Sequence, residues 1–175
     1  MKDQLNSKKL KMNNNINSII QRLSINSFDN SFNPYSDICS HFDNSESNKI
    51  RRNNLEKYLK YFSKLDSIDI WIGRDLGYKG GRKTGIPFTS ENNIALLNEN
   101  LGLDLQIASN SKIISSEISA NTIWEVFNDI SDNIIFWNIY PFHPHEKGNQ
   151  FTNRKFNKEE EFFGLNILQL LIKSL

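Results

Sequence analysis

Two short apolar runs, each preceded by a helical pattern, constrain the fold of this chain more than any other feature. The runs are Ile68–Ile72 and Ile134–Ile139, and such runs are typical of buried strands in a parallel sheet. Apolar residues recur at helical spacing before the first run, from Leu55 to Leu65, and before the second, from Ile118 to Ile130. Helix, strand, helix and strand in this order indicate an α/β fold.

The two ends of the chain differ in composition. Residues 1–50 are rich in Asn, Ser and Lys, and the apolar spacing from Ile16 to Leu23 predicts one short helix followed by irregular chain. Near the other end, Asn157 and Glu160 form a capping-box pattern, which predicts a last helix. We therefore expect an N-terminal region over residues 1–50, partly helical or irregular, and one α/β domain over residues 51–175.

Charge and cysteine content narrow the possible functions. The chain has 175 residues and a net charge of +1, so any attraction to nucleic acid must come from a local surface. Its single cysteine, Cys39, excludes an intrachain disulfide framework and a four-cysteine metal or iron–sulfur site. His143 and His145 flank Pro144, but His41 is the only other histidine, which makes a weak metal site. We predict no metal and no cofactor.

The sequence also carries no sign of export or of membrane insertion. Its N-terminus, MKDQLNSKKLKMNNN, lacks the apolar core of a signal peptide. No apolar run approaches the roughly 18–20 residues that a membrane span needs. These observations predict a cytoplasmic protein without a membrane partner, and they leave the oligomeric state open.

A glycine-rich basic stretch, WIGRDLGYKGGRKTGIPFTSE, begins within the first predicted strand and surrounds Asp75. Glycines let a backbone turn sharply and approach a ligand, and ligands bind at the carboxyl ends of strands in open α/β sheets. The stretch does not match a Walker loop, because Lys83 is one residue out of phase, and the dinucleotide pattern GxGxxG is absent. A nucleotide-binding protein is therefore disfavoured.

The segment GRDLGYKGGRKTGIPFTSE resembles the first motif of the uracil-DNA glycosylase superfamily, in a bacterial branch of single-domain proteins. Residues 117–127, EISANTIWEVF, are similar to that branch's helix before the next strand. Residues 137–160, WNIYPFHPHEKGNQFTNRKFNKEE, are similar to its W-N-x-x-P-F-H-P-H…NR…E segment. The likeness covers about residues 50–170. It implies a three-layer α/β/α sandwich with a mainly parallel central sheet and a hydrolase that acts on uracil-containing DNA.

The resemblance implies a role for each matched residue around a uracil that is flipped out of the DNA stack. Asp75 is the expected catalytic carboxylate, which stabilises the sugar cation and positions water; on the residues alone it would cap a turn. Asn138 is expected to recognise uracil through its amide, with a strand-terminating asparagine as the alternative. The flipped base is expected to stack on Phe88, which would otherwise be a core residue.

Three further residues are expected to line the pocket: Gly73, Gly77 and Tyr78. The strictest branch of the family has a tyrosine at the place of Gly77, where it excludes the methyl group of thymine. Tyr78 follows one residue later, so exclusion of thymine is not implied here.

The expected DNA contacts are basic. Lys79, Arg82 and Lys83 form a cationic stretch that could bind phosphates, which give affinity without sequence information; a solvated surface loop is the alternative. Arg154, which follows Asn153 in the family's N-R pair, is expected either to brace the site or to contact phosphate.

One departure from the family leaves two functions open. Family members continue past the last helix into another strand and an H-P-S motif, whose histidine stabilises the departing uracil, and this sequence contains no H-P-S. We therefore expect a domain that lacks its last strand and second catalytic motif. The chain is then either a DNA-repair hydrolase of the uracil-DNA glycosylase type or an inactive truncated remnant that binds DNA or uracil weakly.

Overall fold

Helices and a small parallel sheet make up the part of the chain that the computed structural model describes, residues 2–110, 115–127 and 133–175. The fold is therefore mixed α/β, and no helix in the described ranges is both long and apolar enough to cross a membrane. The helices are α1 (Lys2–Ile25), α2 (Ser47–Phe62), α3 (Gly81–Thr84), α4 (Ile94–Leu101), α5 (Ile118–Phe127) and α6 (Lys158–Ile172), with a 3₁₀ turn at Glu91–Asn93. The strands are β1 (Ser31–Phe32), β2 (Asp69–Asp75), β3 (Ile134–Tyr140) and β4 (His143–Pro144).

Strands β2 and β3 confirm the two strands expected from the apolar runs. They pair in parallel, with Asp69 opposite Ile134 and Asp75 opposite Tyr140. Strand β3 is buried at every position except Ile139, as expected of a strand covered on both faces.

The burial expected for β2 differs from what the structure shows. Trp71 and Ile72 are 43% and 48% exposed. Among the described residues β2 pairs with β3 alone, so its other edge has no covering strand. The short strands β1 and β4 form a separate antiparallel pair.

Helix α1 is longer than the short helix predicted from its apolar spacing. Ile16, Ile19 and Leu23 are fully buried in a core that they share with α2, β3 and α6. Once this face is packed, each added helical residue gains a backbone hydrogen bond, which lets the helix extend into the polar sequence before it. The helix therefore runs from Lys2 to Ile25.

Helix α6 begins at the predicted capping box and packs on β3. The Asn157 side chain accepts a hydrogen bond of 3.0 Å from the backbone N–H of Glu160, and the Glu160 carboxylate accepts one of 2.7 Å from the backbone N–H of Asn157. A Cβ at Gly164 would overlap the backbone carbonyl of Ile139. This glycine lets α6 approach the strand that carries Asn138.

Candidate functional site

A cavity of about 270 Å³ opens at the carboxyl ends of β2 and β3. Both strands run in the same direction, so their last residues meet at one edge of the sheet. This is where open α/β sheets bind ligands. The cavity is lined by Arg74, Asp75, Leu76, Gly77, Gly81, Phe88, Glu117, Asn138 and Asn153.

Asn138 presents a buried amide to this cavity. It lies opposite Gly73 in the strand register, and it is 2% exposed. Its Oδ1 atom accepts no hydrogen bond from the described residues. A buried polar group without a partner costs about 1–3 kcal/mol, so a ligand that donates a hydrogen bond to this oxygen would recover that free energy.

Gly73 leaves room between Asn138 and the ring of Phe88. A Cβ at this position would overlap the Phe88 ring and lie 2.5 Å from the Asn138 Oδ1 atom. The amide, the glycine and the ring therefore form one continuous wall. The structure thus places Gly73, Phe88 and Asn138 together, although Gly73 itself is not among the residues that line the cavity.

Phe88 is held in an unusual backbone conformation. Its φ angle is 52°, in the left-handed region that non-glycine residues seldom adopt. Its carbonyl accepts a hydrogen bond of 2.9 Å from Trp124 Nε1. The centroid of its ring lies 5.9 Å from the centroid of the Phe136 ring. Such strain costs of order 1–3 kcal/mol and is found most often at functional sites.

Asp75 places a carboxylate at the end of β2. Its side chain is 5% exposed, whereas that of Arg74 is 52% exposed. Arg74 Nε donates to Asp75 Oδ2 at 2.5 Å, and Nη2 donates to Oδ1 at 3.4 Å. Burial raises the pKa of the Asp75 carboxyl above its ordinary value, although the Arg74 hydrogen bond and charge act in the opposite direction.

Glu117 is a cavity residue that the sequence did not identify as functional. A Cβ at Gly77 or at Gly80 would overlap its carboxylate. These two glycines therefore make room for an acidic side chain that comes from a distant part of the chain. Glu117 is the first residue of the segment EISANTIWEVF, but that segment gave it no expected role, so only the tertiary contact shows its place.

Arg82 and Lys83 do not form the cationic surface expected from the sequence. Arg82 is fully buried; its guanidinium lies 4.0 Å from the centroid of the Phe32 ring, and burial lowers its pKa to about 10. Lys83 is 7% exposed, and its Nζ lies 2.9 Å from the Glu91 carboxylate. Both cations are therefore enclosed by the protein. They stabilise this segment through internal contacts and are not placed to bind a phosphate at the protein surface.

Tyr78 and Lys79 directly follow Gly77, which lines the cavity. Lys79 is exposed, with Nζ 5.4 Å from the centroid of the Tyr78 ring. Tyr78 is half-buried and is not among the residues that line the cavity. Its place in a base pocket stays a prediction.

Arg154 braces the segment that follows β4. Its guanidinium donates to both carboxylate oxygens of Glu160, at 2.6 and 2.8 Å, and to the backbone carbonyl of His145 at 3.0 Å. Its side chain is 17% exposed. Of the two roles expected for Arg154, this arrangement favours bracing the site.

His143, the first of the two histidines, is held by contacts within the protein. His143 Nε2 is 2.8 Å from the Thr152 carbonyl, and burial together with the Arg82 charge lowers the pKa of His143 to about 3. The rings of His143 and His145 are 5.8 Å apart. The described residues contain no group of three side chains that could hold a metal ion.

Comparison with known proteins adds no identification. The chain matches no known family model and no curated protein. The resemblance seen in its motifs therefore stays a prediction.

Proposed function

We propose that the chain takes a flipped uracil into the cavity at the ends of β2 and β3 and hydrolyses its N-glycosidic bond, as uracil-DNA glycosylases do. We further propose a three-layer α/β/α sandwich around the parallel strands as its architecture. The observation that carries the proposal is the buried, unpartnered Oδ1 of Asn138 beside the Phe88 ring. The same cavity also presents the carboxylate of Asp75.

The amide of Asn138 provides the base selectivity. It can accept a hydrogen bond from uracil N3–H and donate one to O4, whereas cytosine presents the opposite pattern. A mismatched base would leave buried polar groups unpaired, at about 1–3 kcal/mol each. The Phe88 ring, separated from the amide only by the space above Gly73, provides the stacking surface.

Asp75 is the proposed catalytic carboxylate. Cleavage develops positive charge on the sugar, and a buried ionised carboxylate in a preorganised site stabilises that charge. Because burial raises the pKa of Asp75, its ionised fraction, and with it the excision rate, should increase as pH rises through a value above the ordinary aspartate range.

Cleavage should be slower than in an enzyme whose site also holds a histidine donor. Among the described residues that line the cavity there is no histidine to donate to the departing base. One preorganised oxyanion donor is typically worth about 10²–10³ in rate. Flipping a base out of a duplex costs a few kcal/mol more, so single-stranded DNA should be the better substrate.

Uracil release from a single-stranded oligonucleotide tests this function. Asp75→Asn should reduce release at least about tenfold, because the neutral amide cannot balance the sugar cation. Asp69→Asn is the matched control, since Asp69 is exposed at the opposite end of the same strand. Equal rates for Asp75→Asn and wild type would remove Asp75 from the mechanism. Base binding without release by any variant would favour the alternative, a binding protein without hydrolase activity.

A further inference from the structure

Arg74 is the single cationic side chain among the described residues that line the cavity, where Asp75 and Glu117 supply two acids. Breaking an N-glycosidic bond leaves the bonding electrons on the base. Two carboxylates near that base would oppose the developing anion. The reaction therefore needs a positive group on this wall.

The guanidinium of Arg74 is held in place from one side. Its Nε and Nη2 atoms donate to the two oxygens of Asp75. The described residues provide no hydrogen-bond partner for Nη1. The planar fork of an arginine can bind a carboxylate along one edge and still present N–H groups along another. The side chain is 52% exposed and lines the cavity, which leaves its remaining N–H groups open to a ligand there.

We propose that Arg74 is a further catalytic residue, whose guanidinium donates hydrogen bonds to the departing uracil anion while Asp75 fixes its orientation. This inference rests on the proposed function of the cavity. Water adds to the sugar C1′ as the C1′–N1 bond breaks. The bonding pair moves to N1 and is shared with O2 of the base, Asp75 takes the proton from water, and Arg74 remains protonated throughout.

A lysine could not fill both roles, because it is a point charge without the fork that binds Asp75 and the base together. We expect Arg74→Ala to lower uracil release about 10²–10³-fold, the usual effect of losing one oxyanion donor. Arg74→Lys should recover only part of that loss. The matched control is Arg22→Ala, which removes an exposed arginine from α1.

The leaving group separates this role from a structural one. A 5-fluorouracil anion is intrinsically more stable than a uracil anion, so its departure depends less on Arg74. The ratio of wild-type to Arg74→Ala rates should therefore be smaller for 5-fluorouracil than for uracil. A residue that only positions Asp75 or binds DNA phosphate would give the same ratio for both bases.

Binding of free 5-fluorouracil supplies a readout that does not need cleavage. We expect wild-type affinity to increase from neutral to alkaline pH as the base ionises, and Arg74→Ala to lose that increase. The other charged groups around Arg74 and Asp75 are Glu117, Arg154 and Glu160, and they are the same in both proteins. The difference between their pH profiles therefore reports on Arg74.

The outcomes are distinguishable. An unchanged pH profile in Arg74→Ala, with base binding intact, would overturn the role of Arg74 and leave the proposed function standing. Equal ratios of wild-type to Arg74→Ala rates for uracil and 5-fluorouracil would also overturn the role of Arg74 and leave the proposed function standing. No binding of either base by the wild-type protein, together with no uracil release, would overturn the proposed function and this inference with it.

Discussion

Asn138, Phe88 and Asp75 each carry a cost in the folded protein. The Asn138 oxygen is buried without a partner, Phe88 has a left-handed backbone, and Asp75 is a carboxylate with a raised pKa. All three line the same cavity. Functional sites are where proteins commonly retain such local destabilisation.

The raised pKa of Asp75 gives a stability prediction with a definite sign. The folded protein holds the Asp75 proton more tightly than the unfolded chain, so stability decreases as pH rises through the ordinary and then the raised pKa. Asp75→Asn should therefore have a larger free energy of unfolding than wild type at neutral pH. The difference should shrink as pH falls below the ordinary aspartate pKa. Urea unfolding at neutral and acidic pH measures it, and a variant less stable than wild type at neutral pH would contradict the assignment.

At the scale of elements, a buried ion pair ties the segment before α2 to that helix. The Arg51 guanidinium binds both oxygens of Asp43, at 2.9 and 3.0 Å, and its Nε donates to the Pro34 carbonyl at 2.6 Å. Both charged side chains are 0% exposed. This junction connects β1 and the following loop to the helical core.

Removing one partner of this pair should be severely destabilising. Asp43→Ala leaves the Arg51 charge buried and uncompensated, which costs about 3–5 kcal/mol. Lys49→Ala is the control, because it breaks an exposed pair with Glu46 that is worth about 0–1 kcal/mol. Equilibrium urea unfolding compares the two. A similar small loss for both variants would show that the Asp43–Arg51 pair is not buried in solution.

The loop that follows β2 contains one exposed lysine and two buried cations, and they should behave differently toward DNA. If Lys79 contacts one phosphate, Lys79→Ala should reduce the salt dependence of single-stranded DNA binding by about 0.7 in the slope of log affinity against log salt. Lys83→Met should leave that slope unchanged, because Lys83 is paired with Glu91 inside the protein. Fluorescence anisotropy at several salt concentrations measures both slopes. An unchanged slope for Lys79→Ala together with a smaller slope for Lys83→Met would instead place Lys83 at the DNA-binding surface.

Periodicity and capping patterns predicted the elements well, because these signals are local. The apolar runs located β2 and β3, and the Asn157–Glu160 pattern located the start of α6. The position of Ile130 in the predicted helix lies outside the described residues. Local patterns cannot predict contacts between distant segments. The burial of Arg82 depends on Phe32. Glu117 reaches the cavity because Gly77 and Gly80 leave space for its side chain.

At the scale of the whole molecule, the parallel pairing of β2 and β3 brings separate sequence motifs together in one site. Their common direction brings Asp75 and Asn138, which are far apart in sequence, to one cavity. The α/β class and this convergence could be expected from the order of elements. The exposure of Trp71 and Ile72 could not be expected from the sequence, because an apolar run does not show whether a strand lies in the middle or at the edge of a sheet.

The most direct measurement is a calorimetric titration of free uracil and free cytosine into wild type, Asn138→Ala and the control Asn166→Ala, which alters an exposed residue of α6. We expect wild type and the control to prefer uracil by roughly 5- to 150-fold, the equivalent of about 1–3 kcal/mol for a mismatched buried amide. Asn138→Ala should bind both bases with similar low affinity. Equal affinity of wild type for uracil and cytosine, or unchanged discrimination in Asn138→Ala, would contradict the central claim that this buried amide recognises the base.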